Sequence, residues 1–122
     1  MATGDTKALI EAGVRRFGEE VPSLEKLRLV MRLELRARRD LQTWRVELPG
    51  PVLSRDPARD AVVTVAMDRS HLAALASKGR LAQWIEAYNQ GHIHVSGARE
   101  VTMLVARVIE RQQQRAPARR RP

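Results

Sequence analysis

Cysteine is absent from the chain. That excludes a disulfide framework, a thiol nucleophile and thiolate metal ligands. Aromatic side chains are scarce at 3%, with Phe17, Trp44, Trp84 and Tyr88 the full set. Any core must therefore be built mainly from Leu, Val, Ile, Ala and Met, and no row of rings is at hand for stacking nucleic-acid bases. Long apolar runs are missing as well. The longest, Ala61 to Met67 with Thr64 inside it, falls far short of the ~20 residues a membrane-spanning helix needs. The opening stretch MATGDTKALIEAGVRR places Asp5 and Glu11 where a secretion signal needs a basic start and an unbroken apolar segment. A cytoplasmic location is the expectation. There is no Gly-x-Ser-x-Gly elbow, and the seven glycines are dispersed as helix stops and turns rather than gathered into a phosphate-binding loop. Ser23, Ser54, Ser70, Ser77 and Ser96 fall at caps, turns or loop ends, and Glu19-Glu20 falls at a helix end, where solvent exposure is the ordinary reading. Enzyme chemistry finds no foothold, and no cofactor is expected.

What is present is an ordinary globular mixture. The chain has 122 residues, 43% hydrophobic and 30% charged, a length suited to one domain. Its net charge of +8 invites a nucleic-acid reading, but half of that charge is Arg115, Arg119, Arg120 and Arg121 in the tail QQQRAPARRRP. The remaining body, residues 1–111, carries about +4, with arginines interleaved among Glu34, Glu47, Asp56, Asp60 and Asp68. Arginine outnumbers lysine 19 to 3, as a GC-rich genome produces without functional motive. A solvated, mixed-charge surface with a basic tail accounts for the composition.

Periodicity supplies the elements. Residues 5–21 read as a helix, with Asp5 as cap and Ile10, Gly13, Val14, Phe17 and Val21 on one face. Pro22 and Ser23 break it. LRLVMRLELRA then alternates strictly, Leu29, Met31, Leu33, Leu35 and Ala37 against Arg32, Glu34, Arg36 and Arg38. TWRVEL resumes the alternation, so the two strands form an antiparallel hairpin whose outer face can pair Arg with Glu across strands. The proline-rich stretch PGPVLSRDP leaves room for a short edge strand at Val52 to Ser54. AVVTVAM is a β-branched strand. Asp68 and Ser70 offer caps for the helix SHLAALAS, which closes at Gly79, and LAQWIEAYN forms the next helix. A strand of about five residues follows at the histidine stretch NQGHIHVSG. In AREVTMLVARVIERQQQ, Val101, Leu104, Val105, Val108 and Ile109 mark a helix with one buried face. From about Gln112 the pattern is lost, which sets residues 1–111 as the domain and 112–122 as a basic, disordered tail. One sheet with helices over its aliphatic face is an α+β domain.

The ordered set of signals resembles the sterol carrier protein 2 family. LQTWRVEL is similar to its second strand, with the Thr-Trp pair. DAVVTVAMDRSHLAALASKG resembles a β-branched strand running through an acidic turn into a Leu-Ala-rich helix and a Gly. AYNQGHIHVSG matches its alternating basic and apolar strand between glycines, and VTMLVARVIE takes the place of its last helix. The resemblance covers roughly residues 5–111. It implies a single five-stranded, mostly antiparallel sheet with helices on one face and an apolar tunnel between the layers, binding fatty acids, acyl-CoAs, sterols or isoprenoid-like lipids without catalysis. Because the family has no fixed polar constellation, only apolar positions carry over as lining. They are Leu33, Leu35, Trp44, Val46, Val65, Met67, Leu72, Leu75, Trp84, Ile85, Tyr88, Val101, Leu104, Val105 and Val108. Each also suits an ordinary core.

His92 and His94 have the spacing of two ligands on one strand face, but a zinc site needs a third protein ligand. His71 belongs to a helix that nothing in the spacing brings to this strand. The pair therefore reads as a solvated strand edge rather than a metal site, in keeping with the basic residues that the resemblance places there. The alternative function is a basic accessory module that binds nucleic acid or a protein through Arg32, Arg36, Arg38, Arg45 and the tail. Nucleic acid is disfavoured by Glu34 and Glu47 on the same face. The same arginines would suit an anionic membrane surface, and a homodimer or a partner enzyme is left open.

Overall fold

The computed structural model describes residues 3–120, with side chains described for residues 6–24 and 26–115. Helix α1 spans Thr3–Glu20 and is stopped by Pro22, which opens a short 3-10 turn at Pro22–Lys26. Strands β1 (Leu29–Ala37) and β2 (Asp40–Leu48) follow, then β3 (Val52–Ser54) and β4 (Val63–Asp68). Helices α2 (Arg69–Lys78) and α3 (Leu81–Asn89), strand β5 (Ile93–Gly97) and helix α4 (Arg99–Arg120) complete the chain. The sheet has five strands in the order β3-β2-β1-β4-β5. β1 and β4 run parallel, and the other three pairings are antiparallel, so the sheet is mixed but mostly antiparallel as expected.

Strand alternation fixes which face is buried. The register sets Leu33 opposite Trp44 and Val65, and Leu35 opposite Met67, so the aliphatic side chains of β1, β2 and β4 share one face. Leu33, Leu35, Trp44, Val46 and Met67 are all buried there. They form one cluster with Ile10 of α1, Leu72 and Leu75 of α2, Trp84 and Ala87 of α3 and Ile93 of β5. A second cluster lies apart from the sheet. Val21, Leu24 and Leu81 form its centre, and Ile85, Val105, Val108 and Ile109 pack on it, so α4 is anchored to the 3-10 turn and α3.

Three local expectations need correction. The hairpin does not pair Arg with Glu across its outer face, because the register sets Arg32 opposite Arg45 and Glu34 opposite Thr43. The counter-charges of Arg45 are Glu47 on its own strand and Asp60 from the loop before β4. Asp68 occupies the cap position of α2 but makes no side-chain capping bond, and Ser70 lies inside the helix. The expected cap Asp5 lies inside α1, and its side chain is outside the described ones. Beyond these corrections, α4 runs as helical backbone to Arg120, with Gln113, Gln114 and Arg115 exposed on it.

Candidate functional site

The apolar positions expected to line a ligand space separate by burial. Leu33, Leu35, Trp44, Val46, Met67, Leu72, Leu75 and Trp84 are buried in the sheet cluster. Close packing with protein already satisfies their dispersion contacts. Val65, Ile85, Val101, Val105 and Val108 are half-buried, while Tyr88 and Leu104 are 55% and 47% exposed. Val95 and Met103, which the sequence reading did not single out, are 41% and 44% exposed. Val95 was legible in principle. It lies two residues from Ile93 and so shares its face, and its register partner is Val65 of β4, so it continues the aliphatic face to the edge strand.

An open cleft of ≈ 470 Å³ borders this edge, lined by Tyr88, Asn89 and Gly91 from the end of α3 and by Ile93 to Ser96 of β5. Gly91 has a φ of +84°, which a side-chain-free residue adopts without strain as the chain turns from α3 into β5. α4 packs against β5 as well, yet its anchoring residues belong to the second cluster. The inner face is thus covered less completely at β5, where Val95 is exposed, than at β4, where Val63 and Met67 are buried.

The histidines are arranged differently from the sequence reading. His92 precedes β5 rather than lying in it, and it stacks on His71, with ring centroids 4.1 Å apart and 19° between planes. The antiparallel register ends on Met67 opposite Ile93, which brings His92 beside Asp68. α2 begins directly after Asp68, so its third residue, His71, comes back over the same spot. His94 remains on the outer face opposite Ala66. Among the described residues, no group of three or more His, Cys, Asp or Glu side chains could hold a metal ion.

Two charged groups outside the apolar surface have structural roles. Glu20 is not simply solvated. Its Oε1 accepts the Leu81 N–H at 2.7 Å at the start of α3, and its Oε2 lies 3.7 Å from both Arg16 and Arg80. Arg45, a candidate phosphate contact by sequence, donates from Nε and Nη2 to both oxygens of Asp60 at 3.1 and 2.8 Å and from Nη1 to Glu47 at 3.0 Å. Those hydrogen bonds to Asp60 and Glu47 hold the guanidinium above its ordinary range, and the bonds from Arg45 hold Asp60 below the usual carboxylate range. A guanidinium engaged by two carboxylates is a poor phosphate clamp, so the outer face loses its central arginine as a nucleic-acid contact.

No protein-family model and no curated protein sequence matches the chain. Solved structures do. The crystal structure of sterol carrier protein 2 like 2 from Aedes aegypti is 21% identical, with 85% of this chain and 96% of that chain covered at a TM-score of 0.57. The solution structure of the palmitated form of that mosquito protein matches at 22% identity over 82% and 93% of the two chains, also at 0.57. The sterol carrier protein domain 2 of Helicoverpa armigera is 17% identical over 89% and 85%, again at 0.57. The chain has the sterol carrier protein 2-like fold, the architecture its sequence resembles. No described helix is long and apolar enough to cross a membrane.

Proposed function

We propose that this protein binds and carries a long-chain lipid, without catalysis, in the space between α4 and the inner face of β4 and β5. The division of the interior into two clusters carries this reading. α4 is anchored to Val21, Leu24 and Leu81, not to the sheet core, while Val95 of β5 and Leu104 of α4 are exposed and Val101 is half-buried. An alkyl chain laid there would supply the missing dispersion contacts and bury apolar area at ~25 cal/mol per Å². Fatty acids, acyl-CoAs, sterols and isoprenoid-like lipids all fit that chemistry. Palmitate is the first to test, since a solved structure of this fold is of a palmitated protein. Exposed Arg107, Arg111 and Arg115 recur every fourth residue on α4, and none is in an ion pair among the described residues. They would draw the carrier toward anionic membranes, each contributing roughly 1 kcal/mol near such a surface.

The experiment is a titration of lipid-stripped protein with fluorescent fatty acid, acyl-CoA and sterol probes, each competed with its unlabelled parent. Saturable, competable binding to at least one class is expected. Absence of saturable binding to every class would overturn the carrier reading.

A further inference from the structure

A second cleft lies away from α4, at the hairpin end of the sheet. It has a volume of ≈ 250 Å³ and is lined by Thr6 of α1, Leu35 and Ala37 of β1, Asp40 and Gln42 of β2 and Arg69 of α2. The floor is apolar and the walls bear a hydroxyl, an amide, a carboxylate and a guanidinium. Thr6 is 3% exposed, a polar residue buried beside the apolar core. We propose that this cleft is a second binding site, separate from the lipid space, for a compact zwitterion that sets its ammonium against Asp40 and its anionic oxygens against Arg69.

The first argument is that the two opposite charges do not satisfy each other. Asp40 and Arg69 line the same cleft, yet no ion pair joins them, and neither is in an ion pair with any other residue among the described ones. Opposite charges held apart across one small cleft complement a ligand that carries both. A simple anion would meet Asp40, and a simple cation would meet Arg69.

The second argument is the cost of Arg69 where it stands. It is the first residue of α2, where the positive end of the helix dipole disfavours a cation, and it is half-buried. A residue that breaks a local rule without a compensating contact in the protein points to a contact outside it. Anionic oxygens bound at this spot would meet both the guanidinium and the helix start.

The third argument is that Asp40 is aimed. Trp44 Nε1–H donates to Gln42 Oε1 at 3.2 Å, which turns the Gln42 amide so that its Nε2 donates to Asp40 Oδ2 at 3.4 Å. Trp44 is 2% exposed and cannot swing. The core indole thus orients an amide, and the amide orients a carboxylate on the cleft rim. This leaves the other Asp40 oxygen and the second Nε2 hydrogen for a ligand.

The matching chemistry is a primary ammonium a few bonds from a phosphate or carboxylate. It could reach the cleft as a free small molecule or as the head of a membrane aminophospholipid. The test follows backbone ¹⁵N shifts of the full chain on titration with phosphoethanolamine, with ethanolamine and inorganic phosphate as half-ligands. A second arm measures co-flotation with phosphatidylcholine vesicles with and without phosphatidylethanolamine. Phosphoethanolamine should bind at least fivefold more tightly than either half-ligand, with shifts centred on Thr6, Gln42 and Arg69. Asp40→Asn should erase its advantage over inorganic phosphate, and Arg69→Gln its advantage over ethanolamine. Arg69→Lys, which keeps the charge, should restore part of it, and Arg59→Gln, at an exposed residue of the loop before β4 that lines neither cleft, should change nothing. Binding of the soluble ligand assigns a free zwitterion. Co-flotation that requires phosphatidylethanolamine and is lost in Asp40→Asn, without soluble binding, assigns the lipid head. The proposal is overturned if phosphoethanolamine binds no better than its halves and flotation ignores phosphatidylethanolamine, or if folded Asp40→Asn and Arg69→Gln proteins behave as the parent. None of these outcomes depends on the alkyl-chain space.

Discussion

Glu20 ends one helix and starts another. Its carboxylate takes the first free N–H of α3 from the far end of α1, 61 positions away in sequence, with the side chain only 18% exposed. A carboxylate there satisfies an orphan donor and meets the positive end of the helix dipole. Glu20→Ala should therefore cost about 1–2 kcal/mol in chemical denaturation, and Glu20→Gln, which keeps the acceptor, clearly less. Equal losses for the two variants would assign the effect to charge rather than to the cap. From sequence alone Glu19-Glu20 reads as a solvated pair, because a cap supplied from another helix leaves no local pattern. Asp60 invites a pH experiment. Its bonds from Arg45 depress its folded-state value below the usual carboxylate range, so its contribution is present above the ordinary value and lost as pH falls through the depressed one. Asp60→Asn should flatten the acid limb of the stability profile below about pH 4 and leave the slope at neutral pH unchanged. An unchanged acid limb would mean that the exposed pair contributes nothing measurable.

At the level of elements, the turn between α2 and α3 depends on close approach at Gly79. Its carbonyl accepts from Arg16 Nε at 3.1 Å and from Trp84 Nε1 at 3.3 Å. A Cβ placed on it would sit 2.5 Å from Leu75 O and 2.8 Å from Trp84 Nε1. Gly79→Ala must push the backbone or the buried indole aside, so a loss of about 1–3 kcal/mol is expected, together with a shift in Trp84 fluorescence. A variant as stable as the parent would show the turn to be looser than its packing. From sequence Gly79 is legible only as a helix stop, because its second function lies in contacts from α1 and α3. The same divide runs through the whole chain. Leu29 to Ala37 and Thr43 to Leu48 were legible as strands because alternation is written into every second residue. The placement of His71 on His92 was not, because it follows from the β4–β5 register, which no local spacing records. Cross-strand charge pairing failed for the same reason. Both partner types were present, but a register two residues away would have been needed to bring them together. The candidate lining was legible as an apolar set, while its division into packed core and uncovered surface required the two clusters.

At the scale of the molecule, Phe17 packs against both clusters and lies edge-on to Trp84, with centroids 5.0 Å apart. The two cores meet at this point, while α4 hangs from the smaller one. An element held by few buried contacts is the one expected to open first in the native state. A chain-like ligand between α4 and the β4–β5 face would join the smaller core to the larger and tighten α4. Leu104 separates this arrangement from ordinary packing. It is 47% exposed in the unliganded fold, so Leu104→Trp meets no close-packed wall, and the ligand-free thermal midpoint should stay within the ~0.5 kcal/mol of a surface substitution. An indole at that position would nonetheless occupy the path of an alkyl chain. Affinity for a saturably bound lipid should then fall at least tenfold, which is ~1.4 kcal/mol. Both quantities are read on one lipid-stripped sample, by calorimetric melting and by probe titration. A variant that binds as tightly as the parent would place the alkyl chain away from α4. A variant destabilised by several times that surface value would show that Leu104 is packed in solution, and that α4 closes on the sheet without a ligand.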